Sequence, residues 1–219
     1  MEGDKMYDRD IREPLFDYLE ERFGKCRIFE EKRMGRSRAD IIMVLEDRLI
    51  GLEIKSDADT YERLKRQATD YNKFCDYIYI VIGKSHSRHV SEHVAKCWGI
   101  LCVSETEGSI EVSELREAGE NSKCKLENQL AWMWRPELAH MLALNGLPRY
   151  REKSKQFVQD KLMERVDSSV LKRQMCDELF ERDYTLWDTM MEEYRAQTKK
   201  SARTITVATL PRRRRRRRR

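Results

Sequence analysis

The sequence predicts an α/β fold, a mixed β-sheet flanked by helices, with a helical module after it. Three observations carry this expectation. Residues 39–45 and 49–55 are apolar, branched runs separated by Glu46-Asp47-Arg48, the pattern of a β-hairpin. Further apolar runs at 77–82 and 100–104 alternate with helical periodicity, the order of a sheet with crossover connections. Beyond Leu115 the pattern turns helical.

Taken in order, residues 10–23 read as a first helix, because Ile11, Leu15, Tyr18, Leu19 and Phe23 form one stripe and Gly24 stops it. Asp10 with Glu13 three residues on suggests a capping box, with Pro14 tolerated in the first turn. A short strand over 28–31 precedes the hairpin. With Asp47-Arg48 as a two-residue loop, Glu46 faces Leu49 and Asp40 faces Lys55. Alternation then puts Asp40, Glu53 and Lys55 on one face and Leu52 and Ile54 on the other. A helix over 60–74 places Gln67 and Tyr71, four residues apart, on one side. Strand 77–82, helix 90–98 and strand 100–104 follow. Helices are expected over 126–144, 154–166, 168–180 and 185–194, with Trp132, Trp134, Leu138 and Met141 as core.

The domain reading is a core over 1–117, a polar linker over 118–125 containing Gly119, Asn121 and Ser122, and a helical module over 126–197. A basic tail spans 198–219 and closes on eight arginines, either an added tag or a native segment that grips phosphates. The formal charge of +5 comes from that run: without it 36 basic face 39 acidic residues, a net of −3. A uniformly basic nucleic-acid-coating body is thereby excluded. No apolar run approaches the roughly 18 residues of a membrane span, and no signal-peptide core is visible, so a cytoplasmic protein without a membrane partner is expected. Six scattered cysteines fit no disulfide framework or metal spacing and read as reduced packing residues.

The chemistry concentrates in Asp40, Glu53-Ile54-Lys55 and Gln67-x-x-x-Tyr71. Magnesium and manganese take hard oxygen donors, usually one or two carboxylates plus waters and phosphate. Such a cation polarises a phosphoryl oxygen and acidifies a bound water, and an ammonium beside it offsets developing charge. The bland alternative is a solvated hairpin face. Against it, Leu49-Ile50-Gly51-Leu52-Glu53-Ile54 is nearly continuous apolar sequence, where a carboxylate and a lysine are costly unless paired or metal-bound. The basic residues Arg149, Arg151, Lys153 and Lys155 form a candidate nucleic-acid surface, with a salt-bridged exterior as the other reading. Lys84, His86, Arg88, His89 and His93 form a lesser one, with a solvated helix start the plainer reading.

These residues resemble the PD-(D/E)xK nuclease superfamily, with its restriction-endonuclease-like core. Asp40, Glu53 and Lys55 match its motif, and Gln67 and Tyr71 match the element of its RecB-like branch. The phrase Gly51-Leu52-Glu53-Ile54-Lys55-Ser56-Asp57-Ala58-Asp59-Thr60, with Leu64 and Gln67, looks like the small bacterial and phage MmcB-like group. Trp134-Arg135-Pro136-Glu137-Leu138, Arg182 and Trp187 also resemble that group, so the likeness runs over residues 8–190. Ala39 stands where the superfamily name has Pro. The resemblance implies Mg2+- or Mn2+-dependent hydrolysis of DNA phosphodiesters, in a repair, phage or defence setting. It implies metal held by Asp40, Glu53, the Ile54 carbonyl and a helical glutamate, Glu13, with Glu30 a weaker rival. Lys55, Gln67 and Tyr71 complete the catalytic set. The rival class is a catalytically silent nucleic-acid- or protein-binding module on the same fold. The oligomeric state is open, a homodimer included.

Overall fold

The computed structural model describes residues 6–106 and 108–183. The chain divides into two compact units, Met1–Phe180 and Glu181–Arg219, and all the helices and strands described belong to the first. The helix expected over 185–194 and the basic tail lie outside the described residues.

The core opens with helix α1 (Asp8–Phe23) and strands β1 (Arg27–Met34), β2 (Ser37–Val44) and β3 (Leu49–Lys55). Helix α2 (Leu64–Phe74), strand β4 (Tyr77–Gly83), the one-turn helix α3 (Val90–His93) and strands β5 (Gly99–Thr106) and β6 (Ser109–Arg116) follow. The six strands lie in sequence order in one sheet. The β1–β2, β2–β3 and β5–β6 pairs are antiparallel, whereas β3–β4 and β4–β5 are parallel. The parallel pair β3–β4 requires a crossover, and α2 supplies it. This is the mixed α/β architecture that the periodicities predict, with helices α4 (Leu126–Leu130), α5 (Arg135–Leu144), α6 (Lys155–Arg165) and α7 (Ser168–Phe180) following the sheet.

Every residue of β3 is buried, as its nearly continuous apolar run predicts of a central strand covered on both faces. On one face Ile41, Met43, Leu52, Ile54, Val81 and Leu101 pack with Ile11, Leu15 and Leu19 of α1. On the other, Ile42, Val44, Ile80, Ile82 and Ile100 share a core with Leu64 and Tyr71 of α2 and with Leu138, Leu162 and Leu171. Residues 126–180 thus close the second face of the sheet and belong to the same compact unit as the strands.

Several local expectations shift. The β2–β3 hairpin pairs Val44 with Leu49 and Ile41 with Leu52, so its loop holds four residues, closed by Leu45 N donating to Arg48 O at 3.0 Å. On this register Asp40 falls opposite Glu53 rather than Lys55. A slip of two residues preserves the alternation, so all three ionisable side chains stay on the α2 face. Helix α1 starts at Asp8, and Asp10 in its first turn accepts from Tyr7 N at 3.0 Å instead of capping with Glu13. Pro14 therefore sits inside the helix. The segment 126–144 splits into α4 and α5, because Pro136 lacks an N–H and fits only a first helical turn. Helix 90–98 shrinks to α3.

The polar stretch 118–125 has a structural job at the end of α2. Buried Asn121 donates from Nδ2 to Asn72 O at 2.9 Å and Cys75 O at 2.7 Å, and Gln129 Nε2 donates to Phe74 O at 2.8 Å. These bonds satisfy carbonyls that a helix C-terminus otherwise leaves orphaned.

Candidate active site

The site forms where the β2–β3 ladder ends. Beyond the Ile41–Leu52 pair the strands part, and two side-chain groups take over the backbone partners. Asp40 Oδ2 accepts from Ile54 N at 2.8 Å. The Tyr71 hydroxyl accepts from Asp40 N at 3.2 Å and donates to Leu52 O at 2.8 Å. On the other side of Asp40, Glu31 of β1 takes φ 54°, a conformation that is rare for a non-glycine residue and that collects at functional sites.

Glu53 and Lys55 are 0% and 6% exposed, which makes their charges costly unless compensated. Lys55 Nζ donates to Glu53 Oε1 at 2.6 Å, and Gln67 Nε2, one turn above on α2, donates to the same oxygen. Gln67 Oε1 lies 3.5 Å from Lys55 Nζ, closing a three-membered network. The second oxygen of Glu53, Oε2, is buried with no hydrogen-bond partner among the described residues. Two carboxylates against one ammonium leave the cluster short of positive charge. Burial, then repulsion from Glu53, lifts the Asp40 carboxyl from its ordinary 3.8 to about 7. Burial also lifts Glu53, although Lys55, the nearby Tyr71 hydroxyl and Gln67 oppose it; that hydroxyl already spends its one proton on Leu52 O. Tyr71 is held far above its ordinary value by burial and then by the two carboxylates, so it serves as a neutral hydroxyl.

Asp40, Glu53, Ile54, Lys55 and Gln67 line a cleft of about 550 Å³. Tyr71 lies beneath it, fully buried, and contributes through the Asp40 and Leu52 backbone. Glu13 is exposed and does not line the cleft; from α1 it is Asp8 and Arg12 that do. Glu30 is bound by Arg12 at 2.6 Å, and Arg12 also holds Asp8 at 2.8 Å and Glu31 at 3.1 Å. Arg149, Arg151 and Lys153 are exposed on the α5–α6 connection, and Lys155 Nζ donates to Ala131 O at 2.8 Å; none of the four lines the cleft. The basic lining comes instead from Arg33, Arg36 and Arg38 around the β1–β2 turn and from Arg63 and Arg66 at the start of α2. Sequence reasoning passed over these five. The dense run Lys32-Arg33-Met34-Gly35-Arg36-Ser37-Arg38 was the available signal.

Among the described residues, no three His, Cys, Asp or Glu side chains group as a metal cage. The donor set here is Asp40 and Glu53, and magnesium needs no more than one or two carboxylates when waters and phosphate complete its shell. The orphaned Glu53 Oε2 and the raised Asp40 carboxyl both fit a hard divalent cation. All six cysteines are free, and none lines this cleft.

Fold and site together define an α/β protein with a buried carboxylate–lysine cluster at the C-terminal end of its central strand. The family model for bacteriophage P4 protein cII matches residues 1–208, and the chain belongs to that family. Among curated proteins no sequence matches it. Among solved structures it is similar to SfsA of Pyrococcus furiosus, determined in complex with Ca2+, at 15% identity and a TM-score of 0.32. That match covers 53% of this chain and 63% of the other, less than two thirds of its length. No described helix is long and apolar enough to cross a membrane.

Proposed function

We propose that this chain is a Mg2+- or Mn2+-dependent nuclease of the PD-(D/E)xK type, close to the MmcB-like group, that hydrolyses DNA phosphodiester bonds. The observation that carries the reading is the buried Glu53 with one oxygen unpartnered, facing Asp40 across the parted strands and salt-bridged to Lys55. Structural ion pairs normally satisfy every buried oxygen, because an orphaned carboxylate oxygen forfeits its solvation.

Asp40 and Glu53 would hold the cation, with the Ile54 carbonyl as a further donor. When bound, the metal supplies Lewis-acid polarisation of the phosphoryl oxygen and a more acidic water. Lys55, whose Nζ lies 2.6 Å from Glu53 Oε1, would orient the attacking water and offset charge building on the phosphoryl oxygens. Gln67 fixes Glu53 Oε1 and with it the position of Lys55. Tyr71 is a positioning residue that sets where the Asp40 backbone lies. A phage-associated family makes a DNA substrate in a phage, repair or defence setting the natural one.

The test is cleavage of linear, nicked, closed circular and single-stranded DNA with Mg2+ or Mn2+, with EDTA as the control. Wild type should cut, and Asp40→Asn, Glu53→Gln and Lys55→Ala should each lose about 100-fold or more, the scale of an electrostatic catalytic group. Binding without cleavage under every metal condition would instead identify a silent nucleic-acid-binding module.

A further inference from the structure

Two elements far apart in sequence bring arginines to one cleft. Arg33 and Arg36 lie on the strand end and turn between β1 and β2, and Arg63 and Arg66 at the start of α2. All four are exposed, and none has a carboxylate partner among the described residues. Arg12 and Arg38 differ, since Glu31 engages both. Exposed guanidinium groups that line the cleft of a carboxylate–lysine cluster, yet decline the acids around them, are preset for an external anion. Their planar fork favours phosphate in particular.

The two walls are also locked together. Asp70, on α2 and 5% exposed, accepts Arg36 N at 3.2 Å. Gly35 takes φ 57°, and a Cβ there would lie 2.6 Å from Asp70 Oδ1. Only glycine gives both the left-handed turn and the close approach. The arginine-bearing turn is thereby pinned to the arginine-bearing helix before any ligand arrives, and such preorganisation spares ordering entropy on binding. Among the described residues no aromatic side chain lines the cleft, so they offer no platform for stacking on bases.

We infer that Arg33, Arg36, Arg63 and Arg66 form a two-walled clamp on the DNA sugar–phosphate backbone, held in register by Asp70 and blind to base sequence. The inference rests on the nuclease reading for the identity of the polymer, and it places the DNA track here rather than at Arg149–Lys155. Phosphate neutralisation releases counterions, with a salt slope of roughly −0.7 per contact on single strands.

The experiment is fluorescence anisotropy with labelled dT20 and dA20 in EDTA, so that no hydrolysis occurs. The full chain is used with Arg212–Arg219 all changed to glutamine, so that the tail contributes no slope of its own. Arg33→Gln/Arg36→Gln and Arg63→Gln/Arg66→Gln should each flatten the slope by about 1.4, narrowing the affinity loss between 50 and 200 mM salt about sevenfold. The effect should be equal on both oligonucleotides, and Arg149→Gln/Arg151→Gln should leave the slope unchanged. Asp70→Ala, which removes the acceptor for Arg36 N, should weaken binding while all four arginines remain, which a purely additive charge effect would not do. A slope unmoved by the cleft pairs, a slope carried by Arg149 and Arg151, or a preference between dT20 and dA20 overturns the clamp. Cleavage by wild type alongside such a failure leaves the nuclease reading intact. A clamp behaving as expected without cleavage under any metal condition refutes that reading alone.

Discussion

Changing Tyr71 to phenylalanine removes one oxygen and leaves the ring. The ring is fully buried and meets Trp98 edge-on at 5.7 Å, so packing survives the substitution. What disappears is the hydroxyl that spans the end of the β2–β3 ladder, accepting from Asp40 N at 3.2 Å and donating to Leu52 O at 2.8 Å. Each buried backbone group left without a partner costs about 1–3 kcal/mol, and at about 1.5 kcal/mol apiece the two together cost about 3 kcal/mol. For a unit of this size, 1 kcal/mol moves Tm by roughly 2–4 °C, which gives a drop of about 6–12 °C. Thermal unfolding followed by circular dichroism reads this directly. Mn2+ affinity measured on the same protein should also fall, because the Asp40 backbone loses its anchor. A Tyr71→Phe variant melting within about 2 °C of wild type, with unchanged Mn2+ affinity, would refute the positioning role.

Gly51→Ala should destabilise by about 1–3 kcal/mol in urea unfolding, since its Cβ would stand 2.6 Å from both Tyr71 Cδ1 and Cys75 Sγ. Asn121→Ala should cost about 1–3 kcal/mol by uncapping the Asn72 and Cys75 carbonyls, with hydrogen exchange rising in the last turn of α2. Asp40 binds its proton more tightly folded, near 7, than unfolded, near 3.8, so without metal its contribution to stability falls as pH rises through that window. Asp40→Asn should remove that fall, and the difference between the two urea-denaturation pH profiles in EDTA measures it.

The central strand and the shared face of its ionisable residues were readable because they depend on local pattern. The apolar run around Glu53 and Lys55 marks a doubly covered strand, and face alternation tolerated the two-residue error in hairpin register. Helix spacing put Gln67 and Tyr71 on one side of α2, and the resemblance set that side over the hairpin; the bond from Gln67 to Glu53 is a tertiary contact. Strand β6 was missed, although Ser109-Ile110-Glu111-Val112-Ser113 alternates. It is a largely exposed edge strand, and its alternation carries little hydrophobic signal. Helix α1 began early because no conventional capping residue precedes Asp8. The arginine cleft was only half legible: the run Lys32–Arg38 is as dense in charge as Arg149–Lys155, but its convergence with Arg63 and Arg66 depends on the tertiary packing of α2, where Asp70 accepts Arg36 N. Glu13 was an inference from resemblance, and the pitch of α1 turns it outward.

The central claim is that Asp40 and Glu53 form one divalent-cation site, and Mn2+ titration by isothermal calorimetry tests it most directly. The account predicts one site in wild type, lost in Asp40→Asn and in Glu53→Gln, and retained in Glu13→Gln. No Mn2+ binding by wild type, or binding that survives both carboxylate substitutions, would contradict it.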